Sequence, residues 1–290
     1  MRSRASSLVV GALVLSTSLF CNLSGPSPAP TTNIAEAVHA TLTAMQLNQA
    51  TGQPQPTATV AVPALGQAAF ENVSFQFDPS LAESAKGAAL PAISASDPNA
   101  PPFAVSPAHI KFSFTGYAHP SNMTPELNVY PVADFSQLSP QAKTEIGDLA
   151  KLLSSHNLSA ETLPFLPSQN AAQMMHARVS FLAFQNGTGV RYLTQYAQAY
   201  VLINNQWLFY TFQGLTSDGK YYVSAVLPVS CSQLSNQDFP ADKAQQDQLM
   251  NNFAGYIGGV VAQLDGLGSD QFKPPLEHLD SLIQSLGVTS

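Results

Sequence analysis

Between Ala177 and Pro228 the chain runs through four apolar and aromatic stretches separated by residues that favour turns, and little else than an antiparallel sheet accommodates that pattern. Asn186-Gly187-Thr188-Gly189 and Ser217-Asp218-Gly219 tolerate positive φ, and Asn204-Asn205 suits a two-residue turn. The expected result is a four-stranded meander over about 177–228, pairing Gln185 with Val190, Ile203 with Gln206 and Leu215 with Lys220. Because side chains alternate along a strand, the sheet sorts into two surfaces. Leu182, Phe184, Leu193, Ala197, Ala199, Val201, Leu208, Tyr210, Phe212, Val223, Ala225 and Leu227 form an apolar core face.

The opposite face carries Tyr192, Thr194, Tyr196, Gln198, Tyr200, Trp207, Phe209, Thr211, Gln213, Tyr222 and Ser224. Aromatic rings interleaved with uncharged hydrogen-bonding groups suit an amphipathic ligand, whether a glycan, a peptide or a protein partner. Tyr192, Tyr196, Gln198, Tyr200, Trp207, Thr211, Gln213 and Tyr222 are therefore the candidate contact residues. Two plainer alternatives stand beside this one: the face lies under the strands from Ala68 to Val132, or it is an ordinary tyrosine-rich outer surface. Arg178 and Arg191 point to the apolar face near its edge, placed either for a structural ion pair or to anchor an anion.

The flanking segments supply the other layer. Val73, Phe75 and Phe77 alternate on one strand, Ile110, Phe112 and Phe114 on another, and a third runs from Leu127 to Val132, with Pro79 to Pro107 read as loop. Ser139-Pro140 is an N-cap followed by proline at the first helical position, starting a helix with Ile146, Leu149, Leu152 and Leu153 on one side. A further helix begins near Asp242 with Leu249, Phe253, Tyr256, Ile257, Val260 and Leu264 on a stripe. Its glycines Gly255, Gly258 and Gly259 weaken a helix and imply close backbone contact with the sheet. The last helix follows Pro274-Pro275 with Leu276, Leu279, Leu282, Ile283 and Leu286. The fold class is thus α+β, an antiparallel sheet with helices packed on one face.

Ahead of this domain, assigned to 68–290, lie two segments of other character. Arg2 and Arg4 precede an uncharged apolar run from Leu8 to Phe20, too short for the roughly 20 residues that span a bilayer, and Cys21 follows. Residues 1–21 read as an export segment, with Cys21 a lipidation candidate despite Phe20 before it; an uncleaved anchor and ordinary signal cleavage are the alternatives. Residues 22–67 are rich in Ala, Thr, Pro and Gln, composition of a stalk, with a short helix after Asn33 carrying Ile34, Val38, Leu42 and Met45. The localisation implied is extracytoplasmic, membrane-anchored or secreted.

Charge and motifs exclude more than they assign. The formal charge of −7 becomes −9 once residues 1–20, with Arg2 and Arg4 and no acid, are removed. The remaining cations are scattered singly, which argues against nucleic acid as a partner. Cys231 then has no second cysteine for a disulfide. No Gly-x-Ser-x-Gly, His-Glu-x-x-His, phosphate-loop or Cys-x-x-Cys motif is present, and no cofactor, metal or catalytic residue is assigned. Glu145 with Asp148 reads as solvated helix charge, and His109, His119, His156, His176 and His278 stand isolated in sequence.

The runs LPFLPSQNAAQMMHARVSFLAFQNGTGVRYLTQYAQ and LFYTFQGLTSDGKYYVSAVLPV resemble an uncharacterised family of exported bacterial proteins, many with lipoprotein-like N-termini. That resemblance covers about two thirds of the domain and implies no activity. More remotely, the layout is similar to the Mog1/PsbP class of α+β domains, which implies a binding or assembly module. The expectation is a tethered, non-catalytic envelope binding module; a hydrolase of envelope polymers and an oligomerising surface protein are the alternatives.

Overall fold

The computed structural model describes residues 64–97, 100–119 and 121–289. The export segment, Cys21 and the Asn33 to Gln49 helix lie outside the described residues. The described residues form one compact unit.

Strands β1 (Gly66–Phe70) and β2 (Val73–Phe77) form a hairpin, followed by β3 (Ser84–Leu90), β4 (His109–Thr115) and β5 (Glu126–Pro131). Helices α1 (Val132–Leu138) and α2 (Pro140–Ser155) come next, then β6 (Ala172–Phe184), β7 (Gly187–Ala197), β8 (Phe209–Thr216) and β9 (Tyr221–Pro228). The domain finishes with β10 (Ser230–Cys231), α3 (Lys243–Asn251), α4 (Phe253–Asp265), β11 (Phe272–Lys273), α5 (Leu276–Ser285) and β12 (Gly287–Val288). The fold is α+β. Seven antiparallel strands in the order β3-β4-β5-β9-β8-β7-β6 make the main sheet, and β1-β2-β12 make a smaller one.

Two neighbouring rows across the main sheet show how period-two alternation divides it. One runs Phe112, Leu127, Ala225, Phe212, Arg191; the next runs Lys111, Asn128, Ser224, Gln213, Val190. The first face packs on Phe75 and Phe77 of β2, Leu264 of α4, and Leu276, Leu279, Leu282 and Ile283 of α5. Each large side chain fully withdrawn from water there contributes about 1.5–3 kcal/mol. The second face is covered by Phe135 of α1, by Ala142, Ile146, Leu149 and Leu152 of α2, and by Leu163 and Leu166. Helices therefore lie on both faces, not one. The apolar stripe of α2 needs a partner, and the rings of Tyr130, Tyr192 and Tyr222 supply it.

Local chemistry explains most boundaries. Ser139 caps α2, its Oγ accepting from Ala142 N at 3.1 Å. Asn252, at φ −137° and ψ 46°, leaves helical geometry and splits the expected long helix into α3 and α4. Strand β3 sits inside the stretch read as loop; its Gly87 lets the sheet approach Phe70 so closely that a Cβ there would lie 2.3 Å from Phe70 Cβ. Gly258 and Gly259 have open space around them, so the anticipated close contact with the sheet is absent.

After Ala197 the backbone leaves the sheet, and no hairpin forms across Asn204-Asn205, where Asn204 makes an isolated parallel bridge to Ser235. Both asparagines serve as anchors instead. Asn205 Nδ2 donates to the carbonyls of Cys231 and Leu234 at 3.1 and 2.9 Å, while Asn204 Nδ2 donates to Asp238 Oδ1 at 3.0 Å. The turn between β6 and β7 is Gln185-Asn186, so Phe184 pairs with Gly187; between β8 and β9, Leu215 pairs with Tyr222.

Candidate functional site

The polar and aromatic face is covered by a segment of the protein itself. Leu163–Leu166, a strap between α2 and β6, lies across it with nearly every backbone polar group held by a side chain. Gln173 accepts from Leu163 N at 2.8 Å and donates to Leu163 O at 3.2 Å. Tyr192 Oη donates to Pro164 O at 2.9 Å, and Glu145 Oε2 accepts from Phe165 N at 3.1 Å. Gln213 Oε1 accepts from Leu166 N at 3.0 Å and Ser224 Oγ donates to Leu166 O at 2.5 Å. Such pairing is what a buried irregular backbone requires.

Gln213 is the hub beneath the strap. Its Oε1 also accepts from Tyr222 Oη at 2.6 Å, and its Nε2 donates to Thr211 Oγ1 and Ser224 Oγ at 2.8 and 3.1 Å. Tyr192, Thr211, Gln213 and Tyr222 have no exposed surface, so these four candidates belong to the interior rather than a contact face. Burial pushes the Tyr192 and Tyr222 phenols well above their ordinary range. Three others sit elsewhere: Gln198 donates to Asn170 O at 2.6 Å, Tyr200 stacks on Phe253 with centroids 4.3 Å apart, and Trp207 stands 38 % exposed on the β7–β8 connection. Leaving the sheet at Ala197 is what displaces them.

Tyr196 reaches a cavity. It lines a cleft of about 580 Å³ between α2 and the strap, with Glu145, Gln141, Gln169, Gln173 and Phe165 among the other walls. Its ring lies 4.9 Å from that of Phe165, and its Oη accepts from Gln173 Nε2 at 3.0 Å. The cleft's cation, Lys151, is paired with Asp148 at 2.9 Å. Amide and hydroxyl groups dominate, which gives hydrogen-bond donors and acceptors in quantity beside two aromatic rings.

Glu145 was legible only as helix charge, and the strap changes its chemistry. Burial between α2 and the strap raises its carboxyl above 4.5, against the opposing effect of the Phe165 N–H, and the nearby Asp148 raises it further. A raised carboxyl favours the protonated folded state, so its stabilisation is present below pH 4.5 and is lost as pH rises through the raised value. The substitution Glu145→Gln keeps an acceptor for Phe165 N and removes the charge. The melting temperature of this variant should match the wild type below pH 4.5, exceed it as pH rises through the raised value and keep a constant lead above that, measured by scanning calorimetry across pH.

Other clusters carry less. Ser80 Oγ, Asp78 and His278 meet, but the hydroxyl donates straight to Asp78 Oδ1 at 2.5 Å while His278 Nδ1 lies 3.3 Å from Ser80 Oγ and 3.9 Å from that carboxylate oxygen. A nucleophilic serine needs the imidazole between hydroxyl and acid, an order this trio does not have. His109 lies tilted against Tyr130 with ring centroids 4.5 Å apart, His119 lies 3.2 Å from Asn205 O, and His156 ends α2 at φ 53°. Among the described residues no three histidine, cysteine or carboxylate side chains gather as metal ligands. Burial pushes the Cys231 thiol up, away from nucleophilic thiolate. Comparison with protein-family models, with curated proteins and with solved structures gives no match.

Proposed function

We propose that the protein is an exported, membrane-tethered, non-catalytic module that binds a neutral glycan of the cell envelope in the cleft between α2 and the strap, where Tyr196 of a four-stranded meander over about 177–228 forms part of the wall. The tether rests on Arg2, Arg4, the apolar run from Leu8 to Phe20, and Cys21. The glycan reading rests on the cleft: about 580 Å³, lined by carboxamides and hydroxyls, with the rings of Tyr196 and Phe165 among its walls and its lysine already paired. Carbohydrate presents the same mixture, with hydroxyls for the amides and C–H faces for the rings.

Calorimetric titration of the full-length protein with soluble neutral oligosaccharides tests it. Saturable binding that Gln141→Ala with Gln169→Ala weakens about tenfold, the value of one or two hydrogen bonds, supports the reading; binding unmoved by that double substitution removes the cleft from it. The sole tryptophan, Trp207, does not line the cleft, so its emission is a control rather than the probe.

A hydrolase of the same polymer is the second reading, favoured by one observation: Glu145 has its carboxyl held toward the protonated form, with Asp148 one turn further along α2. Release of reducing ends during the titration, abolished in Glu145→Gln, would decide for it.

A further inference from the structure

The edge strand β6 carries a bulge beside a cavity that shares no lining residue with the cleft. Ala177 pairs with Leu193 and Ser180 with Arg191, so Arg178 and Val179 together oppose Tyr192. Arg178 adopts φ 55°, a conformation that costs a side-chain-bearing residue about 1–2 kcal/mol. Three contacts hold it there. Its backbone N donates to Asp265 Oδ1, its Nη1 donates to Asp265 O at 3.0 Å, and its carbonyl accepts from Arg191 Nη1. Bulges commonly re-aim a side chain, and this one sets a guanidinium at a cavity of about 590 Å³.

The cavity is lined by His176, Arg178, Ser180, Arg191 and Asp265 together with the apolar side chains of Leu158 and Val261. Arg178 Nε and His176 Nδ1 make no hydrogen bond. Arg191, 8 % exposed, is committed to Asp280, with Nη2 at 3.3 Å from Oδ2 and Nε at 3.2 Å from Oδ1. Asp280 pairs with Arg191, and the Asp265 carboxylate, held by the Arg178 backbone N–H, balances the second guanidinium in formal charge, leaving the surroundings formally neutral when His176 is neutral.

From this geometry we infer a second binding site, for a carboxylate carried on an apolar body: the Arg178 guanidinium and Ser180 hydroxyl meet the carboxylate, and Leu158 and Val261 meet the body. A planar guanidinium matches a carboxylate in a way an ammonium does not. Charge excludes the phosphate monoester, because a neutral cavity accepts one negative charge at lower cost than the roughly −1.5 to −2 of a phosphate. Burial depresses the His176 imidazole below 6.5, against the pull of Asp265. The charged groups that line the cavity with it are Arg178 on β6, Arg191 on β7 and Asp265 at the end of α4, with Asp280 on α5 paired to Arg191. Its protonation adds the one positive charge that offsets the ligand, so affinity should rise as pH falls through that depressed range.

The test is calorimetric titration of the full-length protein with isovalerate, isovaleramide, inorganic phosphate and a peptide ending in a free leucine carboxylate. Isovalerate should bind saturably, and the amide about tenfold more weakly or less, the loss of one charge-assisted pair. A peptide preferred over isovalerate names a polypeptide C-terminus as the source, and the reverse names a free acid. Arg178→Gly should abolish carboxylate binding while keeping the melting temperature at or above wild type, since glycine takes φ 55° without strain. Leu158→Asp, at an exposed position away from the bulge, should weaken binding by placing a like charge at the rim. Phosphate preferred over carboxylate, amide equal to acid, or carboxylate binding unchanged in both variants overturns the inference.

Discussion

Replacing Gln213 by leucine should lower the stability of the domain by about 3–5 kcal/mol, the largest single-residue loss expected on the strap side. The amide accepts from Leu166 N and Tyr222 Oη and donates to Thr211 Oγ1 and Ser224 Oγ, all without exposed surface. Leucine fills the volume but leaves the Leu166 N–H and Tyr222 O–H without acceptors, and each orphaned buried donor costs about 1–3 kcal/mol. A urea midpoint measured with unchanged slope reads the loss directly. Because Leu166 is anchored to β8 through this amide, amide exchange at Leu163–Leu166 should also accelerate, and the glycan cleft, whose wall the strap forms, should lose affinity. The double variant Gln213→Leu with Tyr222→Phe removes one of the two orphans, so it should be more stable than the single variant. A single variant no less stable than the wild type would mean that the strap relaxes onto other partners.

That hub shows where sequence reading stops. Alternation alone placed Tyr192, Thr211, Gln213 and Tyr222 opposite Phe212, Ala225 and Leu227, and the pairing of Tyr192 with Thr211 and of Phe212 with Ala225 respects that division. What covers each face is not written in the period of a strand. The strap residues Leu163 to Leu166 have no period of their own, and their backbone groups are satisfied by side chains from 10 to 58 positions away. Glu145 is an ordinary helix residue by composition, and only the strap laid over it changes its proton affinity. Asn204 and Asn205 do open a turn, Trp207 N donating to Asn204 O at 3.3 Å, but contacts with Cys231, Leu234 and Asp238 stand where the expected hairpin pairing would be. Small signals were there to find: a run of LPFLP between a helix and a strand is too apolar for a free loop, which implies that some surface must cover it.

The apolar face poses the opposite electrostatic problem, and Asp280 decides it. Asp280→Leu should destabilise the domain by about 3–5 kcal/mol, because the Arg191 side chain, only 10 % exposed, then keeps its charge without a counter-ion. Tyr210 Oη, which donates to Asp280 Oδ1 at 3.0 Å, loses its acceptor as well. Pairing the change with Arg191→Met should recover a large part of the loss, since a buried ion pair exchanged for apolar groups of like volume is often close to neutral. Recovery should remain incomplete for a reason specific to this fold: Arg191 Nη1 also holds the carbonyl of Arg178 at φ 55°. Adding Arg178→Gly to the double variant removes that strain, so the triple variant should be more stable than the double. Denaturant midpoints for the single, double and triple variants separate the contributions. A double variant no more stable than Asp280→Leu alone would show that Arg191 serves the bulge more than it needs Asp280, and a triple variant no more stable than the double would show that Arg178 is not strained once its carbonyl is released.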